Sequence, residues 1–401
     1  MIKNKVLYTL FALVLLVVAL LPNGVSADIG DDSCLGGKGK APCGEQTNTT
    51  IGDNACNENS ACYDLDNSIV EDYGCVGIDA CAHSSYLTVG KYACNWNDAC
   101  KNAENSHSTI GECGCGGQLL PDSIAGDTSN CDTGKSSPNV CEYIKKMTIS
   151  HDACQDEKAC EKAEESNIGP YSCDGLFSCW SLYNSTVGER SCQGIRACDG
   201  NNKNVQIGDN SCVKTGSSQA YGVCQGTNDM VIGSSSCIGD RGTCHDSVKS
   251  KVGDRSCQTI SGQGEVENCY FLNGAEIGND SCQDQFSCKY IGLRDRSAVI
   301  SGSDVWKVGN GSCQDNISCY NAGRGDLYDA QVEPQGVDIG DDSCNADQVC
   351  RDCEAGSVVT PGTCNDLGNA TEVGVLSGDY SGTTGTTAGN KRCRACFVST
   401  H

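Results

Sequence analysis

One short motif recurs through almost the whole chain and limits the possible folds more than any other feature. The hexapeptide [Ile/Val]-Gly-x-x-[Ser/Ala]-Cys occurs in eleven strict copies, one of them at Val187–Cys192. Weaker copies end at Cys75, Cys115, Cys154 and Cys364, and a degraded copy ends at Cys131. These copies make about sixteen units, which lie 19 residues apart where the repeat is most regular. Units this short indicate a stack, because none of them can bury a core alone.

The order of residue types within the unit predicts the shape of each coil. A β-branched residue favours a short strand, the glycine that follows favours a turn, and the Ser or Ala and the Cys point inward again. Repeats of two helices need roughly 33 residues or more per unit. We therefore predict an all-β, disulfide-rich parallel β-solenoid of about sixteen short coils. Parallel crossover connections are nearly always right-handed, so a right-handed β-helix is expected.

Cysteine is the residue expected to fill this solenoid. The chain has 34 cysteines in 401 residues and only 5 Phe, 3 Trp and 3 Met, a composition typical of disulfide scaffolds. Each coil offers one Ile or Val, one small residue and two cysteines. We therefore expect a thin core in which disulfides replace much of the usual apolar filling.

Two disulfide arrangements fit such a stack: a bond within each coil, or a ladder between like cysteines of adjacent coils. Stacked positions about 4.8 Å apart would permit either one. The insertions favour bonds within coils, because both cysteines persist where the usual spacing of six residues grows to 12. The predicted bonds are Cys56–Cys62, Cys75–Cys81, Cys94–Cys100, Cys173–Cys179 and Cys192–Cys198.

Further cysteines are expected to form disulfides of the same kind, and some partners stay open. The expected pairs are Cys154/Cys160, Cys212/Cys224, Cys257/Cys269, Cys282/Cys288 and Cys313/Cys319. The partners of Cys113, Cys115, Cys131, Cys141, Cys353, Cys364, Cys393 and Cys396 are left open. The Cys350-x-x-Cys353 and Cys393-x-x-Cys396 spacings resemble redox or metal motifs, but in a secreted chain we interpret them as disulfide partners.

The first residues have the features of a secretory signal. Lys3 and Lys5 precede an apolar run at Val6–Leu21, and small residues end the segment at Ala27. The run is shorter than the ~20 residues of a membrane-spanning helix, so no span is expected in the mature protein. We predict a signal peptide at 1–27, a β-solenoid domain at 28–370 and a flexible Gly/Thr-rich tail at 371–401.

The charge argues against nucleic-acid binding, because Lys and Arg total 28 against 52 Asp and Glu. Acidic residues recur just after the motif glycine, at Asp31, Asp53, Glu112, Glu189, Asp209, Asp254 and Asp341. Stacked carboxylates repel one another unless a cation intervenes, which makes calcium an alternative. Because Lys91, Pro170 and Ser234 interrupt the column, we expect a solvated acidic turn and no cofactor. Cysteines six residues apart also differ from the spacing of zinc sites, so no metal site is predicted.

Other motifs suggest surface functions. Glycosylation sequons begin at Asn48, Asn184, Asn279, Asn310, Asn316 and Asn369. A threonine precedes the motif in several units and would form a single outward column, at Thr50, Thr88, Thr109, Thr148 and Thr186. An ice-binding face would need regular rows of threonine. Arg324-Gly325-Asp326 could act as an integrin ligand, although a tripeptide arises easily by chance. None of the five histidines has a plausible nucleophile and acid at a recognisable spacing, so we expect no catalytic residue and no enzyme.

The longer unit at Val187–Cys198 resembles the cysteine-rich repeats of secreted proteins from diatoms and related algae. A weaker similarity is to BspA-type leucine-rich repeats. Both resemblances imply an extracellular surface or adhesive role. We therefore expect a non-enzymatic structural or adhesive protein that contacts matrix, wall or carbohydrate. The alternatives are a solenoid that binds surface carbohydrate or ice and, third, an enzyme acting on polysaccharide. Self-association is also expected, because the mature chain would begin at the uncovered edge of the first coil.

Overall fold

The structure is a computed structural model that describes most of the repeat region. The described residues are 27–35, 43–44, 46, 48–103, 107–116, 140–200, 202–216, 222–240, 242–259, 268–270, 272, 274–291, 306–315, 318–320, 337–345, 350, 358–359 and 361–362. Apart from Ala27, the predicted signal peptide lies outside these residues, as does the whole predicted tail. None of the described residues belongs to a helix that could cross a membrane.

Within the described residues, fifteen short strands form one parallel sheet, in which each strand pairs with its neighbours in sequence. The strands are β1 (Asp28–Ile29), β2 (Thr50–Ile51), β3 (Ile69–Val70), β4 (Leu87–Val89), β5 (Ser108–Ile110), β6 (Thr148–Ile149), β7 (Asn167–Ile168), β8 (Thr186–Val187), β9 (Gln206–Ile207), β10 (Val231–Ile232), β11 (Lys251–Val252), β12 (Ala275–Ile277), β13 (Trp306–Val308), β14 (Asp338–Ile339) and β15 (Val358–Val359). The motif Ile or Val of each coil lies in register with that of the next, as in Ile51↔Val70. The prediction of an all-β parallel β-solenoid is confirmed, and the described residues contain no helix.

The predicted count of sixteen coils is not confirmed. Cys131, which ends the degraded unit, lies outside the described residues. β5 pairs directly with β6, through Thr109↔Thr148 and Ile110↔Ile149. The sheet therefore has no position between these two strands for a further coil.

Insertions leave the sheet intact. The segments 217–221, 260–267, 292–305 and 321–336 lie outside the described residues, and the strands on either side of each still pair in register. For example, β12 pairs with β13 across the segment 292–305, with Ile277 opposite Val308. Extra residues therefore lengthen the connections without shifting the core columns.

The core has more large apolar side chains than the sequence analysis expected. Ile or Val, a small residue and two cysteines do point inward in the regular coils. Two further columns contribute large buried side chains, including Leu65, Leu182 and Leu272 in one and Leu87, Met147, Met230 and Trp306 in the other. In other coils these columns hold small residues, for example Ser84 and Ala103, so the interior is thin only in places.

Every described disulfide lies within one coil. All ten expected pairs are bonded in the structure, with Cα–Cα distances of 5.5 to 5.9 Å. These bonds are Cys56–Cys62, Cys75–Cys81, Cys94–Cys100, Cys154–Cys160, Cys173–Cys179, Cys192–Cys198, Cys212–Cys224, Cys257–Cys269, Cys282–Cys288 and Cys313–Cys319. The ladder between coils, which spacing alone also permitted, is absent from the described residues.

Some of these bonds close coils that the structure describes only in part. Cys224 follows the segment 217–221 and Cys319 follows residues 316–317, both of which lie outside the described residues. Even so, Cys224 pairs with Cys212 at a Cα–Cα distance of 5.7 Å, and Cys319 pairs with Cys313 at 5.8 Å. Because the separations in sequence are 12 and 6 residues, the bond keeps one geometry whatever the length of the segment that it closes.

Four more bonds join cysteines that the sequence analysis did not pair. They are Cys34–Cys43, Cys115–Cys141, Cys237–Cys244 and Cys344–Cys350. Since Cys350 pairs with Cys344, our interpretation that Cys350 pairs with Cys353 was wrong. The separation of six residues between Cys344 and Cys350 is the same as in the regular coils, so the repeat determines the partner.

A column of buried serines ties successive coils together. Ser236 is fully buried, and its hydroxyl donates to the carbonyl of Gly253 in the next coil at 2.6 Å. The same hydroxyl accepts the backbone N–H of Ser256 at 3.2 Å. Ser211 and Ser281 repeat the arrangement with their own following coils. Each serine therefore satisfies two backbone groups that the sheet itself leaves unpaired.

We predict that Ser236→Ala loosens the stack between β10 and β11. The change leaves the buried N–H of Ser256 and the carbonyl of Gly253 without their hydroxyl partner, at a cost of about 1–3 kcal/mol. Hydrogen–deuterium exchange of peptides covering these strands should be faster in the variant. Ser234→Ala, an exposed change in the same coil, is the control and should leave exchange unchanged. Equal exchange in both variants would contradict a structural role for the serine column.

Candidate functional site

A groove of about 520 Å³ runs across the C-terminal strands of the sheet. Its floor contains the motif glycines Gly253, Gly278, Gly309 and Gly340. On one side are the outward strand residues Lys251, Glu276, Lys307 and Asp338, and on the other are Asn310, Asp341 and Pro361. The groove follows the axis of the stack because each lining position repeats from coil to coil.

The floor is made of glycine because the next coil approaches too closely for a side chain. A Cβ on Gly253 would lie 2.4 Å from Asn279 Oδ1, and one on Gly309 would lie 2.5 Å from the Asp341 nitrogen. The backbone groups of the floor are already used: Gly253 N–H donates to Ile277, and its carbonyl accepts from Ser236. A molecule in the groove would therefore be recognised by the side chains along its rims.

One rim is an alternating row of charges. Lys251 Nζ lies 3.1 Å from Glu276 Oε1, in an exposed ion pair between adjacent strands. Lys307 and Asp338 continue the row in register. Opposite charges on neighbouring strands attract, and the exposed pair of Lys251 and Glu276 contributes a modest free energy. The rim is thus close to neutral on a strongly acidic chain.

The acidic column predicted from sequence reaches the other rim at Asn310 and Asp341, and it has a structural role. The Asp254 carboxylate accepts the backbone N–H of Ser234 at 2.8 Å, and Asp341 accepts that of Asn310 at 2.7 Å. Asp53 and Asp209 accept from Asp31 and Glu189 in the same way. Asn279 and Asn310 replace aspartate with the same bond. A short side chain with an acceptor oxygen explains the recurrence of Asp and Asn here without a bound ion.

Groups of metal-ligand type in the described part of the chain consist of cysteines alone. In each group three sulfurs lie within 4.8 Å of one another, as for Cys141, Cys154 and Cys160. These sulfurs belong to disulfides of neighbouring coils, so none of them is a thiolate that could bind a metal. The groups show how closely the disulfides of neighbouring coils stack.

The structure does not bring all of the predicted disulfide cysteines into such groups. Those that belong to none of them are Cys56, Cys62, Cys75, Cys81, Cys224, Cys257, Cys313 and Cys319. All eight are fully buried in the core, and the residues that line the groove include no cysteine. The predicted cysteines are therefore structural, and the candidate site consists of residues from the strands and turns that they support.

The remaining surface candidates are spread around the rod. The threonine column faces outward and in register from β2 to β8, with Ile69 and Asn167 among its members. Asn48, Asn184, Asn279 and Asn310 are exposed. Asn316, Asn369 and the Arg324-Gly325-Asp326 tripeptide lie outside the described residues. Of the described sequon asparagines, Asn48 and Asn184 lie next to the threonine column because they precede β2 and β8, and Asn279 and Asn310 do not.

The column of residues just after the second cysteine of each coil includes buried acids that the sequence analysis missed. The Asp199 side chain is only 6% exposed, and Arg196 Nε lies 3.7 Å away. Burial raises the pKa of Asp199, although the Arg196 charge opposes the shift. Burial also raises the pKa of Glu142, with a smaller contribution from the neighbouring negative charge of Glu161. Only the spacing from the cysteine could have pointed to these residues.

Comparisons with known proteins give no function. A family described as a Domain of unknown function (DUF7640) matches residues 122–220, a region that includes β6 to β9. No curated protein matches the sequence, and no solved structure matches the fold.

We predict that Asp199→Asn stabilises the protein at neutral pH, by roughly 0.5–2 kcal/mol. The pKa of Asp199 is raised in the folded protein. Its carboxyl therefore favours folding at pH below its pKa in the unfolded chain, and this contribution is lost as the pH rises through its pKa in the folded protein. The gain from Asn should therefore shrink as the solution is acidified towards pH 3.

Denaturant midpoints of wild type and variant between pH 3 and 8 measure this effect. Asp209→Asn removes one negative charge from an exposed site and controls for the change in net charge. A constant difference between wild type and Asp199→Asn at all pH values would contradict the assignment of a buried, charged carboxylate.

Proposed function

We propose that the chain is a non-enzymatic extracellular structural or adhesive protein, a stiff acidic rod of a cell surface, wall or matrix. The observation that carries the proposal is the uninterrupted sheet of fifteen strands whose described coils are closed by disulfides. Such bonds persist in oxidising compartments, and a stack in which each unit contacts only its neighbours grows as a rod. We take the coil to be right-handed, as parallel crossovers generally are.

The surface chemistry supports this role. The chain has a net charge of −24, and exposed aspartates recur along the turns. A high charge of one sign keeps an extended protein soluble. The exposed Asn48, Asn184, Asn279 and Asn310 would carry N-glycans in a eukaryotic secretory pathway. The resemblance to secreted algal repeat proteins points the same way.

A ligand-binding solenoid is the second candidate, and the groove over β11–β14 favours it. The groove is long and shallow, with a glycine floor and charged rims, and suits an extended polar chain such as a surface carbohydrate better than a small molecule. The threonine column, at one outward residue per coil, supports ice binding less well than a regular two-row array would.

Catalysis on a polysaccharide is the third and weakest candidate. Asp199 and Glu161 are the buried carboxylates of the described residues, and Asp199 Oδ1 and Glu161 Oε2 are closed to solvent. A general acid or base must reach its substrate within hydrogen-bond distance. We therefore propose no catalytic residue.

Localisation in the native cell tests the proposal most directly. A peptide tag after His401 leaves the repeat region untouched, and we expect the tagged chain in the cell-surface, wall or matrix fraction. A tagged chain that starts at Asp28 behind a new initiator methionine is the control and should stay inside the cell. Retention of the full-length chain in the cytosol would contradict the proposed function.

A further inference from the structure

The outward residues of strands β11 to β14 form a charge sequence that is complementary to its own reversal. In register they are Lys251, Glu276, Lys307 and Asp338. Reversing the order places Lys251 opposite Asp338 and Glu276 opposite Lys307.

We propose that this face, defined by these four outward residues, binds a second copy of the chain in antiparallel orientation. The two-fold axis would pass between β12 and β13, so that each contact occurs twice, as in any isologous interface. Lys251 of one copy would meet Asp338 of the other, and Glu276 would meet Lys307. The proposal extends the structural role suggested above, but its test in purified protein does not depend on where the protein resides.

Charge selects the antiparallel arrangement over the parallel one. If the copies ran in the same direction in register, each lysine would lie opposite a lysine and each acid opposite an acid. Such contacts between like charges are unfavourable and exclude a wrong orientation. The same coil spacing in both copies, about 4.8 Å, keeps all four positions in register at once.

Pairing within one chain leaves half of the charges unused. Lys251 and Glu276 form an ion pair within the sheet. Among the described residues, neither Lys307 nor Asp338 takes part in an ion pair. A second copy would give both of them a partner of opposite charge while contacting the existing pair from outside.

The interface would be small, so the association would be weak. The face is four strands long, roughly 20 Å along the stack, and each strand has only two or three residues, so its area is far below the roughly 800 Å² per partner of a stable interface. In the acidic column beside this face, Asp254 would lie opposite Asp341 of the second copy, which weakens the contact further. Asn279 and Asn310 would face each other beside the axis, and a glycan on either one would cover the face. Association is therefore expected at high local concentration and without N-glycans.

Sedimentation equilibrium of the secreted chain, made in a host that adds no N-glycans, tests the proposal. Wild type should show a reversible monomer–dimer equilibrium. Lys307→Glu brings like charges together at both central contacts and should weaken dimerisation by about tenfold or more. Lys203→Glu makes the same charge change at an exposed site away from this face and should leave the dimer unchanged.

The charge-swapped double variant separates the proposal from a purely internal role of the row. Glu276→Lys with Lys307→Glu worsens the contacts between neighbours within one chain but restores opposite charges between antiparallel copies. We expect dimerisation to return to within about threefold of wild type while thermal stability falls. A wild type that stays monomeric up to millimolar concentration, or a double variant that dimerises no better than Lys307→Glu, would overturn the proposal.

Discussion

The disulfide within each coil is the constraint on which the rest of the structure depends. A unit of about twenty residues cannot bury enough apolar surface to fix its own path. A bond such as Cys173–Cys179 holds the two inward bends of the coil at a Cα–Cα distance of 5.6 Å before any neighbour is counted. Neighbouring coils then need only to match this shape. Where the sulfurs of adjacent bonds lie within 4.8 Å of one another, the disulfides also pack together as part of the core.

Once the coils share one shape, hydrogen bonds between polar groups can hold neighbouring coils together. Buried serines bridge backbone groups of adjacent coils, as Ser236 does, and Asp or Asn side chains accept the exposed N–H of the preceding turn. The glycine that precedes both residues in the motif is required because the next coil lies where its side chain would be. The groove and its charged rims follow from this arrangement, so the candidate site is a consequence of close stacking. The same regularity sets the outward residues in a single row that a second copy could match.

The period and the order of residue types were sufficient to predict the coil, the parallel sheet and the pairing within coils, because each depends on features that repeat. Bonds with irregular spacing were beyond such reasoning: Cys115–Cys141 spans 26 residues and Cys34–Cys43 spans 9. The column that holds Leu65 was missed because Ser84 and Ala103 occupy the same place in the next coils. Asp199 was missed because the residue after the second cysteine varies from coil to coil, as at Ala82 and Trp180.

The left-handed backbone of the cysteines could not be foreseen either. Cys56 and Cys75 have φ angles of 57° and 54°, a region that residues other than glycine seldom adopt. Stacking and the disulfide together hold them there. At the second residue after the glycine the sequence does carry a signal, since Asn54 and Asn210 belong to the residue types that tolerate this conformation best.

The central claim is that each coil closes its own disulfide, and peptide mapping under non-reducing conditions tests it directly. Trypsin cuts after Lys158 and Arg196, and chymotrypsin cuts after Phe177, so each cut separates the two cysteines of one coil. The account predicts linked peptides that join Cys154 to Cys160, Cys173 to Cys179 and Cys192 to Cys198. A peptide containing Cys173 linked to one containing Cys192 would contradict it.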